Sequence, residues 1–329
     1  MLHQPDATIS KETLLGDCWA YVRSAVDRFG QKDFIITKNG ALSFFQNNNN
    51  ANVIAERLTP RFNEPRFGVG LFMKDPLRMI PAMIGVLKTG LYFVPLDVTF
   101  PPHTLKQMLE IANISCVLTD DRYAEQAESM FTMDRIDLIN CDSLDYTREV
   151  ADPVVGYKPE DSVQIMFTSG SMGTPKGAIE DYRYLVRSIM VKLWNGDYQP
   201  DERLLQASTF TYSAPHTHMF NALVTGASMY YHDLKEDGLA VLADVLREKE
   251  ITVYHTTPTV FRSFLGTLRT DDVFPGVNKF RAGGEKRLPS DIQAIQRVFP
   301  NVKELSLGYA STETQVAASF VYRLDSLPK

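Results

Sequence analysis

A short segment rich in glycine and hydroxyl groups carries the clearest chemistry in the sequence. Residues 167–177 read FTSGSMGTPKG and continue the apolar run VQIMF at 163–167. The glycines let the backbone turn sharply and approach a polyanion, while hydroxyls and backbone N–H groups donate hydrogen bonds to phosphate oxygens. Lys176 adds a positive charge. These residue types predict a phosphate-binding loop at the end of a buried strand.

Two common nucleotide-binding patterns do not fit this segment. A Walker A loop needs Gly-Lys-Ser/Thr after four intervening residues, and Pro175 stands where the second glycine belongs. No Gly-x-Gly-x-x-Gly turn opens a helix near the N-terminus, which disfavours a Rossmann dehydrogenase. The simplest alternative is a flexible Ser/Gly surface loop without a function.

The elements around this loop predict an α/β fold. Short β-branched or aromatic runs alternate with segments that have apolar residues every three or four positions. The predicted strands are 33–37, 67–73, 115–120, 163–169, 251–257 and 304–309, and the predicted helices are 76–87, 239–246 and 292–299. Such alternation favours two lobes of mostly parallel sheets flanked by helices. We interpret the charged stretch 142–161 as the connection between the lobes, and the polar run Asn47–Asn50 as a loop or helix start.

Composition narrows the functional class. With 329 residues, 44% of them hydrophobic, the chain is long enough to bury a large core. Its net charge of −6 gives no overall positive field for nucleic acid or anionic membranes. The three cysteines, Cys18, Cys116 and Cys141, are widely spaced and predict buried thiols, with neither disulfides nor a zinc site. We find no signal peptide or membrane-length apolar run, and we expect a cytoplasmic protein.

Four motifs, in order along the chain, resemble the adenylate-forming superfamily, which includes acyl-CoA synthetases, luciferase-like enzymes and the adenylation domains of non-ribosomal peptide synthetases. Segment 167–177 is similar to the family's Thr-Ser-Gly-Ser-Thr-Gly-x-Pro-Lys-Gly signature, with Met172 replacing a threonine. Segment 87–97, LKTGLYFVPLD, resembles the LKAGxAYVPLD element of peptide-synthetase domains. Residues 283–285, GGE, and 309–313, YASTE, resemble the family's nucleotide turn and its Tyr-Gly-x-Thr-Glu motif.

The resemblance implies ATP and Mg²⁺ as cofactors, and a reaction in which a carboxylate displaces pyrophosphate from ATP to give an acyl-AMP. Lys176, Thr312 and Glu313 would be catalytic, with Glu313 also the Mg²⁺ ligand, and Tyr309 would stack on adenine. The implied nucleotide-binding residues are Thr168, Ser169, Gly170, Ser171, Gly173, Thr174, Lys176, Gly177, Gly284, Glu285, Tyr309 and Thr312.

The resemblance also implies an acid-binding pocket. Its positions fall on Ser213, Ala214, Thr217, His255, Arg281, Gly283, Gly308 and Val316. Ser213 stands where amino-acid-activating relatives have an aspartate that binds the α-ammonium, so we expect an acid without a free α-amine. Arg281 either clamps a second carboxylate or an oxo group, or reaches the surface, and His255 either donates to the substrate or is a satisfied core histidine. A metal site at His216, His218 and His232 is disfavoured, because no cysteine or carboxylate cluster accompanies them.

Superfamily members continue beyond the Thr-Glu motif into a ribose-binding aspartate, a hinge and a small C-terminal lobe, whereas this sequence ends at Lys329. We therefore expect the N-terminal core of a longer enzyme, or a natural truncated homologue, that adenylates weakly on its own. The acceptor is expected to be the pantetheine thiol of a carrier protein, or CoA if the protein is a free-standing acyl- or aryl-CoA ligase. A non-catalytic nucleotide-binding remnant is the alternative, and the retention of Lys176 and Glu313 speaks against it.

Overall fold

A computed structural model describes residues 18–59, 66–131, 136–153, 155–168, 174–194, 198–286, 288–311 and 315–323. The helices in these ranges are α1 (Trp19–Phe29), α2 (Phe44–Leu58), α3 (Pro76–Leu87), α4 (Pro102–Ile111), α5 (Ala124–Phe131), α6 (Tyr182–Trp194), α7 (Ser213–Thr225), α8 (Leu242–Glu248), α9 (Pro258–Leu265) and α10 (Pro289–Val298). The strands are β1 (Asp33–Thr37), β2 (Gly40–Ser43), β3 (Gly68–Phe72), β4 (Tyr92–Pro95), β5 (Ile114–Thr119), β6 (Asp137–Asn140), β7 (Ser162–Thr168), β8 (Lys176–Asp181), β9 (Arg203–Gln206), β10 (Ser228–Tyr231), β11 (Val253–Thr256), β12 (Lys279–Ala282), β13 (Glu304–Ser311) and β14 (Gln315–Arg323).

The strands form two mostly parallel sheets. The six-stranded sheet has the order β6-β5-β3-β4-β7-β8, and only β8 at its edge is antiparallel to its neighbour. The eight-stranded sheet has the order β14-β13-β12-β11-β9-β10-β1-β2, with antiparallel pairs at its two edges, β13–β14 and β1–β2. The predicted α/β class is therefore confirmed, and every strand and helix predicted from the sequence is present with slightly different ends.

Buried side chains form three clusters, one between the two sheets and one on the outer face of each sheet. Helices and sheets therefore alternate in five layers. The central cluster joins both sheets through apolar residues of α1, α2, α3, α6 and α7. A second cluster covers the outer face of the eight-stranded sheet with α8, α9 and α10, and a third packs α4 and α5 on the six-stranded sheet. Helices α6 and α7 thus lie between the sheets, where they can contact residues of both.

The stretch 142–161 does not separate the two sheets. It joins β6 to β7, which both belong to the six-stranded sheet, while the chain passes between sheets at 44–67 and at 182–202.

Part of the stretch 142–161 is held in place by the asparagine run 47–50, which lies inside α2. The Asn49 side chain donates to the carbonyl of Arg148 and accepts from the N–H of Val150, at 2.9 and 3.0 Å. Helix α2 begins before the run because Ser43 and Gln46 form a reciprocal capping box.

Among the described residues, none of the helices has both the length and the apolar composition required to span a membrane. Cys18, Cys116 and Cys141 are buried thiols, as the sequence predicts.

Asp120, at the carboxyl end of β5, is expected to make stability depend on pH. Burial raises the pKa of this carboxyl group to about 6, although the N–H of Tyr123 donates to it at 3.1 Å. An unfolded aspartate has a pKa of about 3.9. The folded state holds the proton more tightly, so this contribution to stability is present below about pH 4 and is lost as the pH rises through about 6. Asp120→Asn keeps an acceptor for Tyr123 and should raise stability at pH 7.5 by about 2 kcal/mol, with little effect at pH 4.

Thermal unfolding at the two pH values measures this difference. The matched control is Asp121→Asn, because Asp121 is the exposed neighbour of Asp120 and should give no pH-dependent gain. An equal effect of Asp120→Asn at both pH values would contradict the assignment.

Candidate active site

The predicted phosphate loop is held by a β-hairpin. Strands β7 and β8 pair antiparallel, with Phe167 opposite Gly177 and Thr168 opposite Lys176. Lys176 and Gly177 are exposed, as is Thr174. The hairpin therefore presents Lys176 to solvent at the carboxyl end of a buried parallel strand. Predicted loop residues Ser169, Gly170, Ser171 and Gly173 lie outside the described residues.

Three glycines open a hollow at the ends of β12 and β13. Ala282 pairs with Leu307, so Gly283 and Gly284 come next to Gly308. A Cβ atom added to Gly284 or Gly308 would meet no atom of the described residues within 4 Å, and one on Gly283 would lie 3.6 Å from the Gly308 carbonyl oxygen. Gly284 has φ +85°, which other residues rarely adopt. A flat ligand could lie against this backbone at the edge where parallel sheets usually bind ligands.

The residues implied to complete the nucleotide site are described only in part. The backbone of Tyr309 lies in β13 opposite Ala318, next to the hollow, but its side chain is outside the described structure, as are Thr312 and Glu313. In the ranges that the structure covers, no three histidine, cysteine or acidic side chains gather as metal ligands. The Mg²⁺ role of Glu313 therefore stays a prediction.

Glu285, implied to bind nucleotide, has a structural contact in the described molecule. Its carboxylate accepts from the Thr259 N–H at 2.9 Å and from the Thr259 hydroxyl. Thr259 lies in the first turn of α9, where backbone N–H groups have no partner within the helix. Glu285 thus fixes the glycine turn 283–284 to the start of α9.

Helix α7 carries three of the predicted acid-pocket positions and contacts strand β7 of the hairpin. Ser213 and Ala214 begin the helix, and Thr217, one turn later, hydrogen-bonds the hydroxyl of Tyr184 on α6. His216 is a buried residue of the same first turns of α7, and its side chain faces β7. Its Nδ1 is 2.7 Å from Oε1 of Gln164 on β7.

The protonation of His216 follows from its surroundings. Burial lowers the pKa of the ring to about 4, so at neutral pH it carries a single N–H. Its Nε2 is 2.7 Å from the carbonyl oxygen of Phe210, which can only accept. Nδ1 lies 2.7 Å from Gln164 Oε1, and Gln164 Nε2 donates to a Glu180 carboxylate oxygen on β8 at 2.5 Å. This chain ties the start of α7 to β7.

His255 is buried and contacts two other side chains. Its Nε2 is 2.7 Å from the Tyr198 hydroxyl, and its ring centroid is 3.7 Å from that of His218 on α7. His218 Nδ1 in turn lies 3.1 Å from Gln206 Oε1 on β9. His232 lies 2.9 Å from the Gly238 carbonyl oxygen. The three histidines considered for a metal site, His216, His218 and His232, therefore contact different partners.

Arg281 does not reach the surface. It is 5% exposed, sits opposite His255 in the parallel pair β11–β12, and donates to Glu304 Oε1 on β13 at 3.1 Å. Its guanidinium also lies 5.0 Å from the centre of the Tyr198 ring. The surface-reaching alternative is therefore wrong, and the charge of Arg281 is already paired. Val316 lies on β14 opposite Ala310, and its side chain is outside the description.

Sequence reasoning missed Tyr198, His218, Gln206 and Glu304 as partners of these pocket positions. One signal was available on β12 and β13, where Lys279 and Arg281, and then Glu304 and Ser306, occupy alternate positions of otherwise apolar strands. Because side chains of a strand alternate between faces, such spacing indicates a polar face. Tyr198 gave no signal, since it lies outside any periodic segment.

Comparison with known proteins identifies the family. A family model described as AMP-binding enzyme matches residues 22–329. The chain belongs to this family. Gramicidin S synthase 2 from Aneurinibacillus migulanus, a relative, is 27% identical over 282 residues, which is 84% of this chain and 6% of that protein. Surfactin synthase subunit 2 from Bacillus subtilis (strain 168) is 26% identical over 295 residues, covering 87% of this chain and 8% of that protein.

Solved structures support the AMP-binding fold. The AMPPNP-bound form of the nonribosomal peptide synthetase FmoA3 superposes with a TM-score of 0.80 at 19% identity, covering 94% of this chain and 32% of that one. The chain therefore spans only a small part of the synthetases it resembles.

Proposed function

We propose that this site activates a carboxylic acid as an acyl-AMP. An oxygen of the acid carboxylate attacks the α-phosphorus of ATP, and the bond from that phosphorus to the bridging oxygen breaks as pyrophosphate leaves. The observation that carries the proposal is the glycine-lined hollow at β12–β13, and the exposed Lys176 at the start of β8 adds a positive charge for phosphate. Membership of the AMP-binding family supports it, as does the nucleotide analogue bound to the FmoA3 neighbour.

Each predicted residue has a role that follows from its chemistry. The Lys176 ammonium would neutralise and orient the phosphates, and the Thr312 hydroxyl would hydrogen-bond the α-phosphate as charge grows there. The Glu313 carboxylate offers the hard oxygen that Mg²⁺ prefers, and bound Mg²⁺ supplies further neutralisation of phosphate charge. No side chain has to remove a proton, because the substrate carboxylate is already ionised at neutral pH.

We further propose that the acyl group passes to the pantetheine thiol of a carrier protein. The structural neighbour FmoA3 is a nonribosomal peptide synthetase, which supports this acceptor. The transfer would depend on parts of the protein outside this chain.

Calorimetry of ATP binding with and without Mg²⁺ tests the nucleotide site. We expect binding that requires Mg²⁺ and that Glu313→Gln weakens by about 10-fold, the effect of losing one charge-assisted contact. Unchanged affinity in Glu313→Gln would show that the metal role is assigned wrongly. Failure of the unaltered chain to bind Mg²⁺-ATP would overturn the proposed function.

The acid is proposed to lack a free α-amine. Ser213 is the first residue of α7, where the helix dipole is positive and disfavours a cation. None of the eight predicted pocket positions carries a carboxylate that would offset the desolvation of an ammonium group. With Mg²⁺ and α,β-methylene-ATP present, which cannot release pyrophosphate, 2-hydroxypentanoate should bind at least about 10-fold more tightly than 2-aminopentanoate. Tighter binding of the amino acid would contradict this part of the proposal.

A further inference from the structure

The face of the eight-stranded sheet that points towards the six-stranded sheet, called here its inner face, is apolar on one side and polar on the other. Towards β10 and β1 it is apolar, with Ile35, Met229 and Tyr231 in the central core. Across β11, β12 and β13 the same face carries charged and polar side chains that are largely buried. These are His255, Lys279, Arg281, Glu304 and Ser306.

The charges on this polar half are balanced. Arg281 pairs with Glu304 at 3.1 Å, and Lys279 pairs with Glu202 at 2.6 Å. Two cations thus face two anions, all with at most 17% of the side chain exposed. Buried ion pairs of this kind hold each other in place, because a buried charge without a partner is costly.

The histidines of this half lie against each other, close to Arg281. The rings of His218 and His255 are 3.7 Å apart, and His255 is bonded to Tyr198, whose ring lies under Arg281. Protonation of either ring would put a second buried cation beside Arg281, and protonation of both would place two cations in contact. A neutral pair of rings meets neither cost and presents polar groups that can donate or accept hydrogen bonds.

We infer that this net-neutral surface, built by the Arg281–Glu304 pair and the Tyr198–His255–His218 chain, selects an acid whose side chain is uncharged and rejects one with a second carboxylate. The inference rests on the proposed function and specifies its substrate class. Glu304, Tyr198 and His218 become specificity-determining residues beside the predicted pocket positions. Glu304 disfavours a second carboxylate because its charge already balances that of the guanidinium.

The rejection has a direct physical cause. A second carboxylate beside Arg281 would place two buried anions against one guanidinium, so the two carboxylates would share a single compensating charge. If Glu304 stayed in place, the incoming carboxylate would lie near a like charge. An uncharged hydroxyl, carbonyl or aromatic side chain meets neither cost and can hydrogen-bond to the neutral chain.

Matched pairs of acids test the inference by calorimetry, with Mg²⁺ and α,β-methylene-ATP present. The pairs are 2-oxopentanoate with 2-oxoglutarate, pentanoate with glutarate, and 4-hydroxybenzoate with terephthalate, each differing by one added or exchanged carboxylate. We expect the monocarboxylate to bind at least 10-fold more tightly in every pair that binds. Equal or tighter binding of a dicarboxylate overturns the inference and leaves the proposed function standing.

Two further outcomes separate the inference from the proposed function. If Mg²⁺-ATP binds but no acid of any pair does, the neutral surface is not an acid-binding surface and the inference fails. If Mg²⁺-ATP does not bind either, the proposed function itself fails. The comparison needs only the unaltered protein, so it does not depend on whether a variant folds.

Two variants then assign the selectivity to residues. Glu304→Gln leaves Arg281 without its anion and should narrow or reverse the preference within each pair, whereas Glu236→Gln, in the exposed pair with Arg122, should leave the preference unchanged. Tyr198→Phe keeps the ring under Arg281 but removes the hydroxyl bonded to His255. It should weaken monocarboxylate binding several-fold without changing Mg²⁺-ATP affinity, and equal weakening of both would point to a merely structural role.

Discussion

Replacing Lys176 with alanine should weaken Mg²⁺-ATP binding by about 10- to 100-fold, the effect of removing one charge-assisted hydrogen bond to phosphate. Lys176 is exposed at the start of β8, opposite Thr168 in the hairpin that holds the loop. The backbone of that hairpin does not depend on the lysine side chain, so the variant should keep its melting temperature. Calorimetry of ATP binding, together with thermal unfolding, measures both quantities.

Lys158 provides the matched control for this prediction. It is an exposed lysine in the turn before β7, at the opposite end of the strand that leads into the loop. Lys158→Ala removes the same charge from the protein and should leave ATP affinity unchanged. Equal losses in both variants would mean that net charge, rather than a contact at the loop, governs ATP binding.

The fold class could be predicted from the sequence where elements are long or strongly periodic. Strand β7 and helix α3 show their pattern over seven and twelve residues. Strands β9, β10 and β12 have only four residues each, two per face, which is too few to distinguish a strand from a loop by alternation. The sequence could not predict that 142–161 connects two strands of the same sheet, because strand order depends on pairing between distant residues.

The phosphate loop could be predicted because its chemistry lies within one continuous segment. The side-chain pairings across the polar half of the eight-stranded sheet could not, since they join residues far apart in the chain. Tyr198 and His255 are 57 positions apart, and Arg281 and Glu304 are 23 apart. The sequence named His255 and Arg281 only through the resemblance, and nothing local indicated that Glu304 already pairs with the guanidinium.

Lys88, in the LKTG segment, is a buried charged residue that binds Asp152 in the stretch 142–161. Its side chain is 3% exposed, and its ammonium donates to Asn48, Asn52 and Asp152 oxygens at 2.8, 2.6 and 2.6 Å. Burial lowers the pKa of Lys88, an effect that the attraction of Asp152 opposes. The ammonium thus depends on Asp152 as its anionic partner among the described contacts.

Asp152→Ala is therefore expected to destabilise the protein by about 3–5 kcal/mol, because it leaves the Lys88 charge buried with only neutral amide oxygens. Urea unfolding measures the loss. Replacing both partners, Lys88→Met with Asp152→Ala, should be less damaging than Asp152→Ala alone, since no charge is then buried without a partner. Glu56→Ala is the matched control, because Glu56 also joins α2 to this stretch through Arg148, in an exposed ion pair that should contribute little. A double variant less stable than Asp152→Ala would show that the ammonium is stabilised by the asparagine oxygens and does not need the carboxylate.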